Sequence, residues 1–209
     1  MRTRVKICGI RSVEDAYTAI EHGADALGFN FWPPGSRYIS PADAGDIIRQ
    51  LPPLVATVAV VVEPSGDELA DIVAHTQVDM VQFHGDESTA FCESAPRPYI
   101  KAIRVQSSGD VTRAGQAHPR ARAFLMDAYK KGLPGGTGES FDWALIPSGF
   151  TRPTILAGGL NPENVGRAIE AVRPFAVDVS SGVEASPGVK DPGKVQKFLS
   201  EVKRVAATQ

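Results

Sequence analysis

The sequence predicts an α/β fold, a single-domain (β/α)8 (TIM) barrel over residues 1–209, and three observations carry that expectation. Short apolar stretches alternate with amphipathic ones eight times, which divides 209 residues into units of about 26. The apolar stretches are nearly continuous, the pattern of parallel strands buried on both faces. The small-residue turns come late: Gly158-Gly159 and Ser180-Ser181-Gly182 follow the last two strands. An open doubly wound sheet would set its Gly-rich phosphate turn after the first strand. Eight units at this length are near the compact limit of the closed barrel, about 200 residues.

The elements follow in order. Residues 5–8 form the first strand, ended by Gly9, and Ser12 caps a helix reaching about His22. Glu14 and Asp15 occupy that helix's favourable first turn, and Gly23 stops it. Residues 26–31 are the second strand; the loop WPPGSRYIS leads to a helix over 41–50, punctuated by Pro52-Pro53. Residues 54–62, the longest β-branched run, are the third strand, followed by a helix over 66–76. The fourth strand is 80–84 with a short helix at 86–93, and the fifth is 99–105. Its successor, 107–118, has poor helix composition. The sixth strand, 124–128, runs into a Gly-rich loop at 129–140, and 141–146 is at most a short helix. The seventh strand is 154–157, with Asn161 as N-cap and Pro162 at the first position of the next helix. The eighth is 176–179. A closing helix over 192–206 has an apolar stripe of Val195, Phe198, Leu199 and Val202.

Composition narrows the function. A net charge of -2 and a pI near 6.1 argue against nucleic acid or an anionic membrane as the main partner. No apolar run approaches the ~18 residues of a membrane span, and the first residues lack the core and cleavage site of a signal peptide. Cys8 and Cys92 fit a reducing, cytoplasmic setting, and no CxxC or Cys/His ligand spacing calls for a metal.

Parallel strands joined by right-handed crossovers put their C-terminal ends on one face, where active sites of this fold lie. There Gly158, Gly159, Ser180, Ser181 and Gly182 form a cup whose backbone N–H groups can hold phosphate. Cys8 ends the first strand, His84 the fourth and, nearly, Asp127 the sixth, while Asp178 lies inside the eighth and Arg37 in the second loop. Each has a plainer role to set beside a chemical one. Cysteine is mostly a small buried hydrophobe. His84 could simply satisfy a loop carbonyl, Asp178 could only orient the cup, and Arg37 is a solvated charge unless its loop folds over the mouth. Asp127 follows Phe-Leu-Met, where an idle carboxylate would be costly to bury. Cys92, His22, His75 and His118 lie on or beside helices, away from the mouth.

Six motifs then stand in order between Lys6 and Asp191: KICGI, GFNFWPPGSRYIS, VQFHGDE, GGTGESFDW, LAGGLNPENV and VDVSSGVE. Together they resemble the phosphoribosylanthranilate isomerase family of tryptophan biosynthesis. The resemblance implies a barrel that performs an Amadori rearrangement without metal or organic cofactor. Its substrate is the small molecule N-(5-phosphoribosyl)anthranilate, and the protein would be a monomer or homodimer. It places the general base on Cys8, the general acid on Asp127 and the anthranilate carboxylate on Arg37; from their strand positions, His84 and Asp178 are expected among the substrate-binding residues. The phosphate falls on Gly158-Gly159 and Ser180-Ser181-Gly182. The Gly-rich segment 131–138 would be a lid. The second loop, Pro34-Gly35-Ser36-Arg37, departs from the family's commoner Ser-Pro or Ser-x before the arginine. Rivals are other sugar-phosphate barrels. The histidine-pathway isomerase would set an aspartate at Cys8, and indoleglycerol phosphate synthase needs a lysine at a strand end, which Lys101 is not. A barrel that binds a phosphate ligand without catalysis is the remaining alternative.

Overall fold

The computed structural model describes residues 2–128 and 142–207; the whole Gly-rich loop, with the expected lid, lies outside the described residues. Eight parallel strands close into a barrel in chain order: β1 Arg4–Cys8, β2 Ala26–Asn30, β3 Ala56–Val61, β4 Met80–Phe83, β5 Tyr99–Val105, β6 Ala123–Ala128, β7 Thr154–Leu156 and β8 Ala176–Val179. Closure is the pairing of β1 with β8, Arg4 opposite Ala176 through Ile7 opposite Val179. The period of two decides what each strand residue meets. Val58, Ile100, Ala102, Ala123, Leu125, Ile155 and Ala176 pack together inside the barrel. Alternate residues such as Ile7, Leu27, Phe83, Phe124 and Val177 pack outward under the helices.

The helices are α1 Val13–Glu21, α2 Pro41–Ile48, α3 Gly66–Thr76, α4 Thr89–Glu93, α5 Ser108–Ala117, α6 Val165–Val172 and α7 Pro192–Ala206. Side chains satisfy their first N–H groups: Ser12, Ser40, Ser65, Ser88 and Asp191 each accept from the backbone N–H three residues on. Such caps contribute about 1 kcal/mol each. Ser65 and Glu68 complete a reciprocal capping box.

Departures from the sequence expectations have local causes. Leu54 has φ 71° and is fully exposed, so β3 begins at Ala56 and not at the head of the β-branched run. The fourth helix starts at Thr89, because Glu87 turns inward and accepts from the N–H groups of Glu63 and Gly85. Asn161 is not the N-cap of α6, which starts one turn later. Its side chain instead accepts from the N–H groups of Glu163 and Asn164, closing a turn ahead of the helix. Helix α5 forms despite its composition, helped by Asp110, whose carboxylate accepts from the Ser107 N–H at 2.7 Å. Within 141–146 the described part holds a single 3-10 turn, Trp143–Leu145. A small antiparallel hairpin, β9 Glu184–Ser186 with β10 Val189–Lys190, was not expected, and it brings Lys190 back to the end of β1.

Candidate active site

Inward-facing residues at the C-terminal ends of the strands line one pocket: Cys8 from β1, Asn30 from β2, Val60 from β3, Gln82 and His84 at the end of β4, Asp127 from β6, and Asp178 with Ser180 from β8. Trp32, Arg37, Gly158, Gly159 and Ser181 complete it from the loops. A larger cleft of about 730 Å³ opens at the other end of the barrel among Arg2, Phe150, Arg173 and Phe175, and none of the sequence-predicted residues reaches it. Of the ten predicted site residues only Gly182 is not on the pocket wall. A β-carbon at Gly182 would stand 1.9 Å from the Leu160 carbonyl oxygen, so this glycine lets the loops after β7 and β8 touch. Gly158 and Gly159 have φ of 78° and 66°, the left-handed region where a side chain is strained. The Asn164 amide pins their turn by donating to the Gly159 carbonyl at 2.9 Å.

Around Cys8 the pocket wall is ionic. Lys6, two residues earlier on the same inward face, is 3% exposed, and its Nζ lies 2.8 Å from Asp178 Oδ1. A β-carbon on Gly28 would lie 2.9 Å from Cys8 Sγ and 3.0 Å from Lys6 Nζ, so sulfur and ammonium are neighbours above a glycine that makes room for both. Burial works against the Lys6 charge, but Asp178 and Cys8 outweigh it and its pKa rises. Burial also pushes the Cys8 thiol up; Lys6 and Lys190 pull it back in part, and Asp178 opposes them. Lys190 donates to the Cys8 carbonyl at 2.5 Å and to Glu184 at 2.9 Å. Glu184 in turn holds Arg37 through two bonds, Nε at 2.8 Å and Nη2 at 2.9 Å. Burial disfavours the Glu184 charge, yet these two cations hold its carboxyl below the usual range. Arg37 is therefore folded over the mouth. Its stem crosses Gly9, where a β-carbon would meet Arg37 Cδ at 2.8 Å. With one edge of the guanidinium held by Glu184, the other can receive a carboxylate.

On the β4 to β6 side, His84 Nε2 lies 3.1 Å from Asp127 Oδ2, and the Gln82 amide lies 3.0 Å from His84 Nδ1. Asp127 is 4% exposed. Behind the wall, Lys101 ties the loop by donating to the Gly85 carbonyl and to Glu87. Cys92 is buried, which pushes its thiol up to about 11 and keeps it protonated, as a packing residue should be. Among the described residues no group of three His, Cys, Asp or Glu side chains could hold a metal ion, and no helix is long and apolar enough to cross a membrane.

Strand-end reasoning passed over Lys6, Gln82, Glu184 and Lys190. The first two share the inward face of a predicted strand end, so period two could have found them. The other two arrive through the hairpin, for which the sequence shows no comparable pattern.

The pocket thus sets a thiol among cations and a buried carboxyl beside a histidine under one small-residue cup, a layout suited to moving protons on a phosphorylated sugar. Comparison with known proteins agrees. The family model described as N-(5'phosphoribosyl)anthranilate (PRA) isomerase matches residues 5–201. The N-(5'-phosphoribosyl)anthranilate isomerase of Nitrosomonas eutropha is 51% identical over 203 residues, 97% of this chain and 98% of its own. The crystal structure of phosphoribosyl anthranilate isomerase from Thermotoga maritima superposes with a TM-score of 0.90 at 44% identity, covering 97% of this chain and 99% of that one. A crystal structure of such an isomerase in complex with reduced 1-(o-carboxyphenylamino)-1-deoxyribulose 5-phosphate gives 0.86 at 43% identity, with the same coverage. The chain belongs to the phosphoribosylanthranilate isomerase family.

Proposed function

We propose that the chain converts N-(5-phosphoribosyl)anthranilate to 1-(2-carboxyphenylamino)-1-deoxyribulose 5-phosphate, with Cys8 as base and Asp127 as acid. The observation that carries this is that Cys8, Asp127 and the cup of Gly158, Gly159, Ser180 and Ser181 line a single pocket. A relative crystallised with the reduced product supports the same ligand. The phosphate in the cup and the anthranilate carboxylate on Arg37 would fix the substrate at both ends, so that remote binding energy orients the reacting carbons between them.

Asp127 gives its proton to the ring oxygen as the C1–O bond breaks, leaving an iminium at C1. The Cys8 thiolate then takes the C2 proton, and the electron pair forms the C1=C2 double bond of an enolamine. Protonation at C1, with loss of the proton from the C2 hydroxyl, gives the ketone. The thiol must ionise to act; burial raises its pKa, and Lys6 with Lys190 offsets part of that rise.

Fluorescence-monitored turnover tests this in the metal-free parent beside Cys8→Ala, Asp127→Asn and Arg37→Ala. The first two should lose roughly 10²–10⁴ in kcat, the range of proton-transfer catalysis, with product-analogue affinity retained. Arg37→Ala should chiefly raise KM. A folded parent without turnover would sink the proposal, and a variant that keeps its rate would remove that residue from its role.

A further inference from the structure

We propose that Gln82 is a positioning residue: through the tautomer of His84 it directs the acid proton of Asp127 to the oxygen that faces away from His84. The role rests on Asp127 being the acid, as proposed above.

Gln82 lies on the inward face of β4 and is 1% exposed. Its Nε2 is 3.0 Å from His84 Nδ1, while among the described residues its buried Oε1 has no hydrogen-bond partner. An amide nitrogen can only donate, so Nδ1 accepts and a neutral ring carries its proton on Nε2. That nitrogen is 3.1 Å from Asp127 Oδ2 and donates to it. A carboxylic acid with one oxygen already accepting an N–H holds its own proton on the other, here Oδ1. In the opposite tautomer Nε2 would be the acceptor, and the Asp127 O–H would be turned onto His84 instead of the substrate. The orphaned Oε1 argues that the amide is there for its N–H. An unsatisfied buried polar atom is costly, and an apolar side chain of the same length would avoid that cost. Among the described residues, the charged and titratable groups facing this chain are Arg104 on β5, whose Nη2 donates to the His84 carbonyl at 3.4 Å, and Asp127 on β6. The neighbour on β3 is the apolar Val60, and Asp178 and Cys8 stand across the mouth.

The test combines nitrogen NMR of the His84 ring with the pH dependence of kcat, in the parent, Gln82→Met and Gln82→Glu. The parent should show Nε2 protonated and Nδ1 bare. Gln82→Glu offers Nδ1 an acceptor, so it should protonate Nδ1, lower kcat by about 10²-fold and shift the pH profile, because a misdirected proton forfeits most of an acid's usual contribution. KM should change far less than kcat, since the Gln82 side chain is almost fully buried. Gln82→Met should release the tautomer with a smaller fall in kcat. A parent ring protonated on Nδ1, or on both nitrogens, at the working pH would overturn the proposal. So would variants that fold like the parent and keep its kcat and profile. Failure of the acid assignment looks different: Asp127→Asn would keep its rate while the parent His84 tautomer stayed as described.

Discussion

Lys6 shares the inward face of β1 with Cys8 and is held by Asp178 at 2.8 Å, both ions nearly out of water. Such a pair adds little net stability, but breaking it strands a buried charge. Lys6→Met should therefore cost about 3–5 kcal/mol in urea denaturation, the usual effect of removing one buried partner. It also removes the cation beside the sulfur, so the Cys8 thiol, already raised by burial, should rise further. The base proposed for Cys8 works deprotonated, so on that proposal activity should appear only at higher pH than in the parent. Lys6→Met combined with Asp178→Leu removes the stranded carboxylate and should recover most of the stability while the catalytic loss persists. A stable double variant with the parent's rate and pH profile would show that Lys6 serves packing alone. Cys8, His84 and Asp127 were legible in the sequence because a strand end in a parallel barrel has a known address. Lys6 obeys the same period, but a lysine is normally exposed, and nothing in the sequence of β1 alone shows that Asp178 will stand opposite it.

The cup depends on two loops approaching more closely than side chains permit. Gly182→Ala would set a β-carbon against the Leu160 carbonyl, a backbone atom that cannot swing aside. Overpacking of this kind costs about 1–3 kcal/mol, and here the strain falls on the loops proposed to hold phosphate. The variant should lose inorganic phosphate as a competitive inhibitor by more than its fall in melting temperature would explain. Gly66→Ala, at a helix start with nothing within 4 Å of the new carbon, is the control and should leave both unchanged. Unaltered phosphate inhibition in a Gly182→Ala protein would detach this loop contact from binding. At this scale the eight strands and the order of the helices were readable from alternating apolar runs. Boundaries were less so where side chains compete with the backbone: the Asn161 amide closes its own turn and delays α6, and Glu87 leaves its helix to serve the barrel. The β9–β10 hairpin has only five residues in strands and no apolar alternation, so nothing local announces it.

Two buried carboxylates tie the face of the whole barrel together, and they set its response to acid. Glu87 joins the N–H groups of Glu63 and Gly85 to Lys101 on β5. Glu184 joins Arg37 from the second loop to Lys190 from the hairpin. Burial penalises both charges, yet their partners win, and both pKa values lie below the ordinary 4.5. A depressed folded pKa means that the unfolded chain binds protons first as pH falls. Stability from these groups is thus complete above about pH 5.5 and is lost as pH drops through 4.5 towards the folded values. The exposed pair of Arg2 and Asp25 should add little to this dependence. Urea midpoints should accordingly be nearly level from pH 8 to 6 as far as these two groups are concerned, and fall steeply below 4.5. Glu87→Gln should start less stable at neutral pH, because Lys101 loses its partner in a buried place. It should then lose less on acidification than the parent, since one of the two titrating carboxylates is gone. A Glu87→Gln protein whose stability falls below pH 4.5 as steeply as the parent's would mean that acid opens the barrel elsewhere, and would leave Glu184 as the group to replace next.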